Sequence, residues 1–370
     1  MKENTSVYQK LKLDLKKAII NKKFLSGDCL PSENSLARKY NISRPSVRKA
    51  LFELEKEALI FKKPGKGTFV RDRITEFIKP KTAPENLIIG VNFNFNKYIG
   101  ANWYYNQLMG SIIRTSFNLG CTMQLISNLN GITRNRIDGI IWGLPAREEF
   151  KIIHNISRAD IPIIIVNRTP DNNNLNYITT DHRDAVFRGI EYLFNLNHRK
   201  ICFIGSSFTE SPNRERLEGY VDAFAKNSVE IDNNLIFEVE PAIKEQTYQQ
   251  IFEIISKNNF SALFLAGGAF AASALKAIYD KGLKVPDDIS IVCFDDIEGI
   301  EEHPGPPLTS IRQPLSEMGK RTVHGLISLV QNRHAKITEV IPSEFVMRES
   351  CKVHTNQPKT DKVVEGQERR

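Results

Sequence analysis

Short apolar-rich runs recur through most of this 370-residue chain, at residues 87–93, 122–126, 137–142, 161–166, 200–205, 262–266 and 289–294. Longer amphipathic stretches separate them. A strand that is apolar on both faces needs cover on both faces, and helical crossovers supply it, so the pattern predicts parallel sheets in an α/β fold. About 265 residues of this texture exceed what one five-stranded sheet needs. Two lobes are therefore expected, each with its own sheet. Ligands of such sheets bind beyond the carboxyl ends of the strands, which places a site in the cleft between the lobes. The strongest run, Ile161-Pro-Ile-Ile-Ile-Val166, is far shorter than the roughly 20 residues of a membrane-spanning helix.

The charge is unevenly placed. The chain carries 51 basic and 43 acidic side chains, a net +8. Residues 1–72 hold 17 basic and 8 acidic groups, and the remainder holds 34 and 35. The whole excess lies in the first fifth. A small basic head on a neutral body suits phosphate, because each neutralised phosphate releases counterions.

Inside that head, Val7, Leu11, Leu15, Ala18 and Ile19 recur at helical spacing and predict a helix over residues 8–21. Pro31-Ser32-Glu33 starts a second helix with Ser32 as N-cap, and Leu36, Ala37 and Tyr40 form its inner face. Ser43 caps a third helix, with Pro45 tolerated in its first turn and Val47, Ala50, Leu51 and Leu54 facing inward. Residues 59–63 and 68–70 are short β runs around Pro64-Gly-Lys-Gly67. Three helices and a basic hairpin make a winged helix-turn-helix.

Such a module fits duplex DNA, with its third helix in the major groove. Arg44 and Arg48, four apart, share the exposed face of that helix and have the fork that reads guanine. Glu33 has the chemistry to accept from cytosine or to pair with a neighbouring lysine. Arg48 has a phosphate-only reading as well. Ser32, Ser43 and Ser46 sit at helix N-termini, where hydroxyls and N–H groups hold phosphate. Gly65 and Gly67 let the wing approach the minor groove, with Lys66 at its tip.

Leu30-Pro-Ser-Glu-Asn-Ser-Leu-Ala37, Asn41-Ile-Ser-Arg-Pro-Ser-Val-Arg-Lys-Ala-Leu51 and Gly65-Lys-Gly-Thr-Phe-Val70 together resemble the DNA-binding domain of the GntR family of bacterial repressors. The resemblance covers residues 7–71 and implies DNA contacts at Glu33, Arg44, Arg48 and the glycine wing. Residues 72–86, with two prolines and no period, are expected to form a hinge.

In the body, residues 87–350, the strand ends and following loops offer Asn94, Asn96, Tyr104, Tyr105, Trp142, Arg168, Asp181, Phe208, Arg216, Asp295 and Gln313. Carboxylate, guanidinium and amide groups hydrogen-bond hydroxyl pairs, and an aromatic face stacks on a sugar ring. Each has a plainer reading: Asp295 as a turn cap, Arg216 as half of an ion pair, Trp142 and Phe208 as core.

Ile89-Gly-Val91, Asp138-Gly-Ile-Ile141, Asn197-His-Arg-Lys-Ile201, Arg216-Leu-Glu-Gly-Tyr220, Val285-Pro-Asp-Asp-Ile-Ser-Ile291, Phe294-Asp-Asp296 and Pro307-Leu-Thr-Ser-Ile311 resemble the effector domain of the LacI/GalR family. That resemblance implies a two-lobed, periplasmic-binding-protein-like fold. It implies that Arg216 and Asp295 grip sugar hydroxyls and that Gln313 and the Tyr104 region face the cleft. One departure stands out. The family usually has Asn-Asp after the strand at 262–266, whereas this chain reads Gly267-Gly268. A GntR-type head on a LacI-type body is similar in architecture to the arabinose repressors.

The expectation is a cytoplasmic, homodimeric transcriptional regulator that represses sugar-utilisation genes and leaves a pseudo-palindromic operator when a sugar-like effector binds. A ligand-dependent activator, or a corepressor mode with a non-sugar effector, is the alternative. The N-terminal ten residues have no apolar h-region, which argues against secretion and against a solute-binding transport protein. No GxSxG, HExxH, P-loop or Schiff-base lysine context is present, so no enzyme and no cofactor are expected. Five scattered cysteines and seven histidines show no metal spacing, and His198 reads as structural. Residues 351–370 read as a polar, disordered tail.

Overall fold

The computed structural model describes residues 7–20, 23–24, 28–56, 59–63, 67–70, 87–93, 103–126, 137–171, 174–240, 244–297 and 305–355. The chain divides into two compact units, Met1–Ile78 and Lys79–Arg370.

The first unit contains α1 (Val7–Ile20), α2 (Glu33–Tyr40), α3 (Arg44–Lys56) and an antiparallel hairpin of β1 (Ile60–Lys63) and β2 (Gly67–Val70). Leu11 and Leu15 of α1, Leu36 of α2 and Val47, Leu51 and Leu54 of α3 close one small core. Asn41 ends α2 in the left-handed region at φ 49°, and its N–H reaches the carbonyls of Ala37 and Arg38. Asparagine tolerates that backbone where most residues do not, which allows the tight turn into α3.

The second unit is α/β and two-lobed. Lobe one has a six-stranded sheet in the order β13-β7-β6-β5-β3-β4. Its members are β3 (Ile88–Phe93), β4 (Thr122–Leu125), β5 (Gly139–Gly143), β6 (Ile163–Val166), β7 (Asn176–Thr180) and β13 (Thr338–Ile341), all parallel to their neighbours. The helices α4 (Trp103–Asn118), α5 (Phe150–Arg158) and α10 (Leu315–Gln331) pack on this sheet or on each other.

Lobe two repeats the scheme in the order β14-β12-β11-β10-β8-β9. It uses β8 (Ile201–Gly205), β9 (Ile236–Glu238), β10 (Ala262–Leu265), β11 (Ser290–Phe294), β12 (Thr309–Arg312) and an antiparallel edge, β14 (Glu344–Val346). Buried residues fill both faces. Ile251, Leu263, Ala274 and Ile291 lie on one, and Ile190, Phe203, Tyr220 and Phe264 on the other. The first face carries α8 (Lys244–Lys257) and α9 (Ala271–Asp280). The second carries α6 (His182–Asn195) and α7 (Asn213–Lys226). Helices α6 and α7 approach closely because Gly219 lacks a side chain. A Cβ there would lie 2.2 Å from the Arg183 carbonyl oxygen.

The chain crosses between lobes three times, between Thr180 and His182, between Arg312 and Leu315, and between Ile341 and Glu344. Each of the seven apolar runs holds all or most of a strand. Strands β7, β9, β12, β13 and β14 lie outside those runs, because polar residues such as Asn176, Thr179 and Thr309 occupy their positions.

The expectation of a disordered tail from residue 351 is corrected for its first part. Lys352 N donates to Ser290 Oγ at 3.1 Å, His354 N to the Leu196 carbonyl at 2.8 Å, and the His354 ring stacks on His198. The segment binds to hydrogen-bonding groups at the start of β11 and just after α6, so composition alone misjudged it. Residues 71–86 and 356–370 lie outside the described residues. Among the described residues, no helix is long and apolar enough to cross a membrane, and no group of three or more His, Cys, Asp or Glu is placed to hold a metal.

Candidate functional site

The head presents its basic face on α3. Arg44 and Arg48 are exposed, and Val47 between them is buried. Ser32 caps α2, accepting from Ser35 N at 3.2 Å. Ser43 accepts from Ser46 N at 3.3 Å, and the two hydroxyls lie 2.9 Å apart. These serines satisfy the free N–H groups of two helix N-termini and hold their hydroxyls at the surface.

Glu33 has both an arginine and a lysine partner. Arg48 Nε donates to its Oε2 at 2.8 Å, and Lys62 Nζ of β1 lies 3.6 Å from Oε1. The Arg48 hydrogen bond leads in holding the Glu33 carboxyl below its ordinary range. The lysine-pairing reading is thus realised, with Arg48 as the nearer partner. Gly67 adopts φ 122°, and a Cβ there would sit 3.0 Å from Cys29 Sγ. Glycine is required at that corner of the wing. Gly65 and Lys66 lie outside the described residues.

In the body, two hydrogen-bonded chains run through the cleft. The first passes through Gln313, on the crossover after β12. Thr180, at the end of β7 in lobe one, donates its hydroxyl to Gln313 Oε1 at 2.9 Å. Gln313 Nε2 donates to Asp295 Oδ1 at 2.6 Å, and Gly268 N donates to Asp295 Oδ2 at 3.2 Å. Asp295 has φ 81°, a left-handed conformation that costs a non-glycine residue on the order of 1–3 kcal/mol and clusters at functional sites. Asp295 does cap the turn, and it does so inside the cleft network.

The second chain passes through Arg216 of α7, which is 7% exposed. Its Nη1 donates to the Ala266 carbonyl at 2.7 Å, its Nε to His182 Nδ1 at 3.3 Å, and its guanidinium lies 3.8 Å from the Phe294 ring centroid. No carboxylate among the described residues pairs with it directly, so the ion-pair reading does not hold. Burial lowers the Arg216 pKa, with Asp295 acting in the opposite direction. His182 continues the chain, its Nε2 lying 3.1 Å from Asn167 Oδ1. Asn167 Nδ2 then donates to Tyr104 Oη at 2.6 Å. The chain spans from α7 of lobe two to α4 of lobe one.

The other expected residues fall variously. Tyr104 and Tyr105 are half-buried and meet edge to face, with centroids 5.4 Å apart. Arg168 follows β6 and lies 2.5 Å from Glu210 in the loop after β8, joining the lobes directly. Phe208 is half-buried against Phe203. Asp181 caps α6, accepting from Asp184 N at 3.0 Å, which is a structural role. The Trp142 expectation is corrected. Its ring is wholly buried among Ile140, Ile153, Ile156 and Ile163, because β5 is covered on both faces. Asn94 and Asn96 lie outside the described residues.

Sequence reasoning missed His182, Asn167, Thr180, Phe294 and Glu210. Asn167 carried one faint signal, an asparagine directly after an apolar strand. It takes φ 54°, as that residue type allows. His182 gave none, because crossovers remote in sequence bring its partners to it.

Residues 7–70 match the family model for bacterial regulatory proteins of the gntR family, and residues 190–351 match a periplasmic binding protein-like domain. The arabinose metabolism transcriptional repressor of Geobacillus stearothermophilus is 26% identical, over 95% of this chain and 100% of its own. The HTH-type transcriptional regulator DegA of Bacillus subtilis (strain 168) is 28% identical, over 68% of this chain and 77% of its own. Among solved structures, the lac repressor dimer bound to operator and the anti-inducer ONPF is similar in fold. Its TM-score is 0.63 at 22% identity, covering 77% of this chain and 99% of that one. These relatives are regulators rather than enzymes. The chain is a transcriptional regulator that joins a GntR-family helix-turn-helix head to an effector domain of the periplasmic-binding-protein type.

Proposed function

We propose that this regulator represses carbohydrate-utilisation genes from a pseudo-palindromic operator and is released when a sugar or sugar derivative enters the cleft. The observation that carries this reading is the pair of hydrogen-bonded chains through Arg216 and Asp295. A hydroxylated ligand seated between those two side chains acts on both lobes at once. Arg44 and Arg48 supply the fork for base edges, and Ser32, Ser43 and Ser46 supply phosphate contacts.

A homodimer suits this role, because two-fold symmetry matches two half-sites about one helical turn apart. An apolar face supports it. Ile113 and Phe117 of α4 and Leu125 of the edge strand β4 are 50%, 82% and 63% exposed. Release requires that the effector bind the DNA-incompetent arrangement better, with a coupling of about 1–3 kcal/mol. The cytoplasm is the compartment in which these parts work together.

Gel retardation of DNA upstream of its own gene, at fixed salt, tests the reading. The panel is L-arabinose, D-ribose, D-xylose, D-glucose, D-galactose, D-glucuronate and D-galacturonate. Loss of a specific shift with one sugar is expected. A shift strengthened by a sugar would establish the corepressor mode instead. A shift that no panel member alters would remove the sugar.

A further inference from the structure

His182 is wholly buried, yet it touches polar groups on both sides. On one side stands the Nε–H of Arg216, a group that only donates. His182 Nδ1 therefore accepts, and the ring proton sits on Nε2, where it donates to Asn167 Oδ1. The Asn167 amide cannot turn over, because Thr180 N–H, which only donates, points at its Oδ1 at 3.4 Å, so the tautomer is fixed from both ends. The ring stacks on Phe294 at 5.5 Å, the same aromatic face that backs the Arg216 guanidinium.

We propose that His182 is the positioning residue of the effector grip. As a neutral Nε2–H imidazole, it fixes the Arg216 guanidinium over Phe294 and transmits that orientation to Asn167 and Tyr104 of lobe one. With Nε and Nη1 occupied, Nη2 has no protein acceptor among the described residues and is the donor left for a ligand hydroxyl. Burial first, and the Arg216 charge second, keep the ring neutral well below the ordinary histidine range. Arg216 is the charged group in contact with the ring. Asp181, its chain neighbour, turns its carboxylate to Asp184 N, and Asp295 acts from beyond Arg216.

This inference rests on the cleft being the effector site, and the experiment separates the two claims. The first arm uses the ligand-free full chain and reads the histidine ring nitrogens by 15N NMR from pH 8 to 5. His182 is expected as the neutral Nε2–H form throughout. A ring titrating near 6.5, or one protonated on Nδ1, overturns the proposal.

The second arm takes whichever panel sugar binds the wild type in calorimetry. His182→Asn keeps an acceptor where Nδ1 stood, and His182→Gln keeps a donor where Nε2 stood. The asparagine variant is expected within about threefold of wild type, and the glutamine variant about tenfold weaker, the scale of one hydrogen bond to a charged group. In an Arg216→Lys background that difference is expected to vanish. Equal affinities for the two variants, or a difference that survives in that background, overturn the proposal. If no panel sugar binds the wild type, the sugar reading fails while the NMR arm still decides the role of His182.

Discussion

Thr180 and Gln313, 133 residues apart in sequence, share a buried 2.9 Å hydrogen bond where two of the three crossovers pass each other. Gln313 is 4% exposed, and its amide has both ends engaged, accepting from Thr180 and donating to Asp295. Replacement by leucine fills the volume and strands both partners. A buried polar group left unpaired costs about 1–3 kcal/mol. Gln313→Leu is expected to lower the unfolding free energy from urea titration by that amount and to weaken effector binding. Unchanged stability would mean that water replaces the amide.

The Glu33–Arg48 pair makes a prediction for DNA. Arg48→Ala removes the guanidinium that we propose reads a base edge, with an expected cost of about 1–3 kcal/mol on operator DNA and sequence preference relaxed at one position per half-site. Glu33→Gln retains Arg48 and releases it from its carboxylate. Binding to random DNA is expected to strengthen, and discrimination to fall. Fluorescence anisotropy on matched operator and random duplexes at one salt concentration measures both.

Asp296 sets an acid limit on lobe two. Burial alone would raise its pKa, but hydrogen bonds from Arg348, Ser310 and Arg312 outweigh burial and bring it down to about 2. A depressed carboxylate stabilises the fold above its unfolded value of 3.8, and this contribution disappears as the pH falls toward 2. The difference amounts to about 2 kcal/mol at neutral pH. Asp296→Asn is expected to lose that much at pH 7 and to match wild type near pH 2. Urea titrations across this range check the sign.

Gly219→Ala places a methyl against the backbone of α6, with the Arg183 oxygen at 2.2 Å and the Phe187 nitrogen at 3.1 Å. Overpacking of this kind costs about 1–3 kcal/mol or more, since neither atom belongs to a flexible side chain. Gly282→Ala is the control. It stands at φ 70° with open space around it, so only backbone strain, about 1–2 kcal/mol, is incurred. A larger fall in melting temperature for Gly219→Ala is expected by calorimetry.

Phe117→Glu is expected to raise the dissociation constant of the proposed dimer at least about a hundredfold, since an apolar side chain worth about 2–3 kcal/mol becomes a charge on the face that this dimer would bury. Sedimentation velocity reads the result. A monomeric wild type would remove the proposed face.

The sequence revealed the parts whose structure is local. Leu36 and Val47 at helical spacing, Ser32 and Ser43 at helix starts, and Ile163–Val166 as an apolar strand all follow from neighbours within one turn or one strand. The cleft was legible in Arg216, Asp295, Gln313, Tyr104 and Arg168, and not in the residues that connect them. Trp142 was misplaced because an aromatic residue at a strand end looks the same whether it faces ligand or core. Asp181 was read as a ligand contact because a capping carboxylate and a binding one are the same residue type. His182 and Asn167 acquire their meaning from contacts 15 and 34 residues away across two lobes, a distance at which local periodicity carries no signal.

The return of β13 to lobe one and of β14 to lobe two sets the order in which a ribosome delivers a working molecule. The head core closes within residues 11–70, so it is complete while most of the chain is still unmade. Neither sheet of the body has all its strands until Ile341 and Val346 have emerged. Domains fold as their parts become available during synthesis. Each nascent chain therefore passes through a period in which its head is complete and its body is not. A chain terminated anywhere between residues 71 and 337 remains in that state.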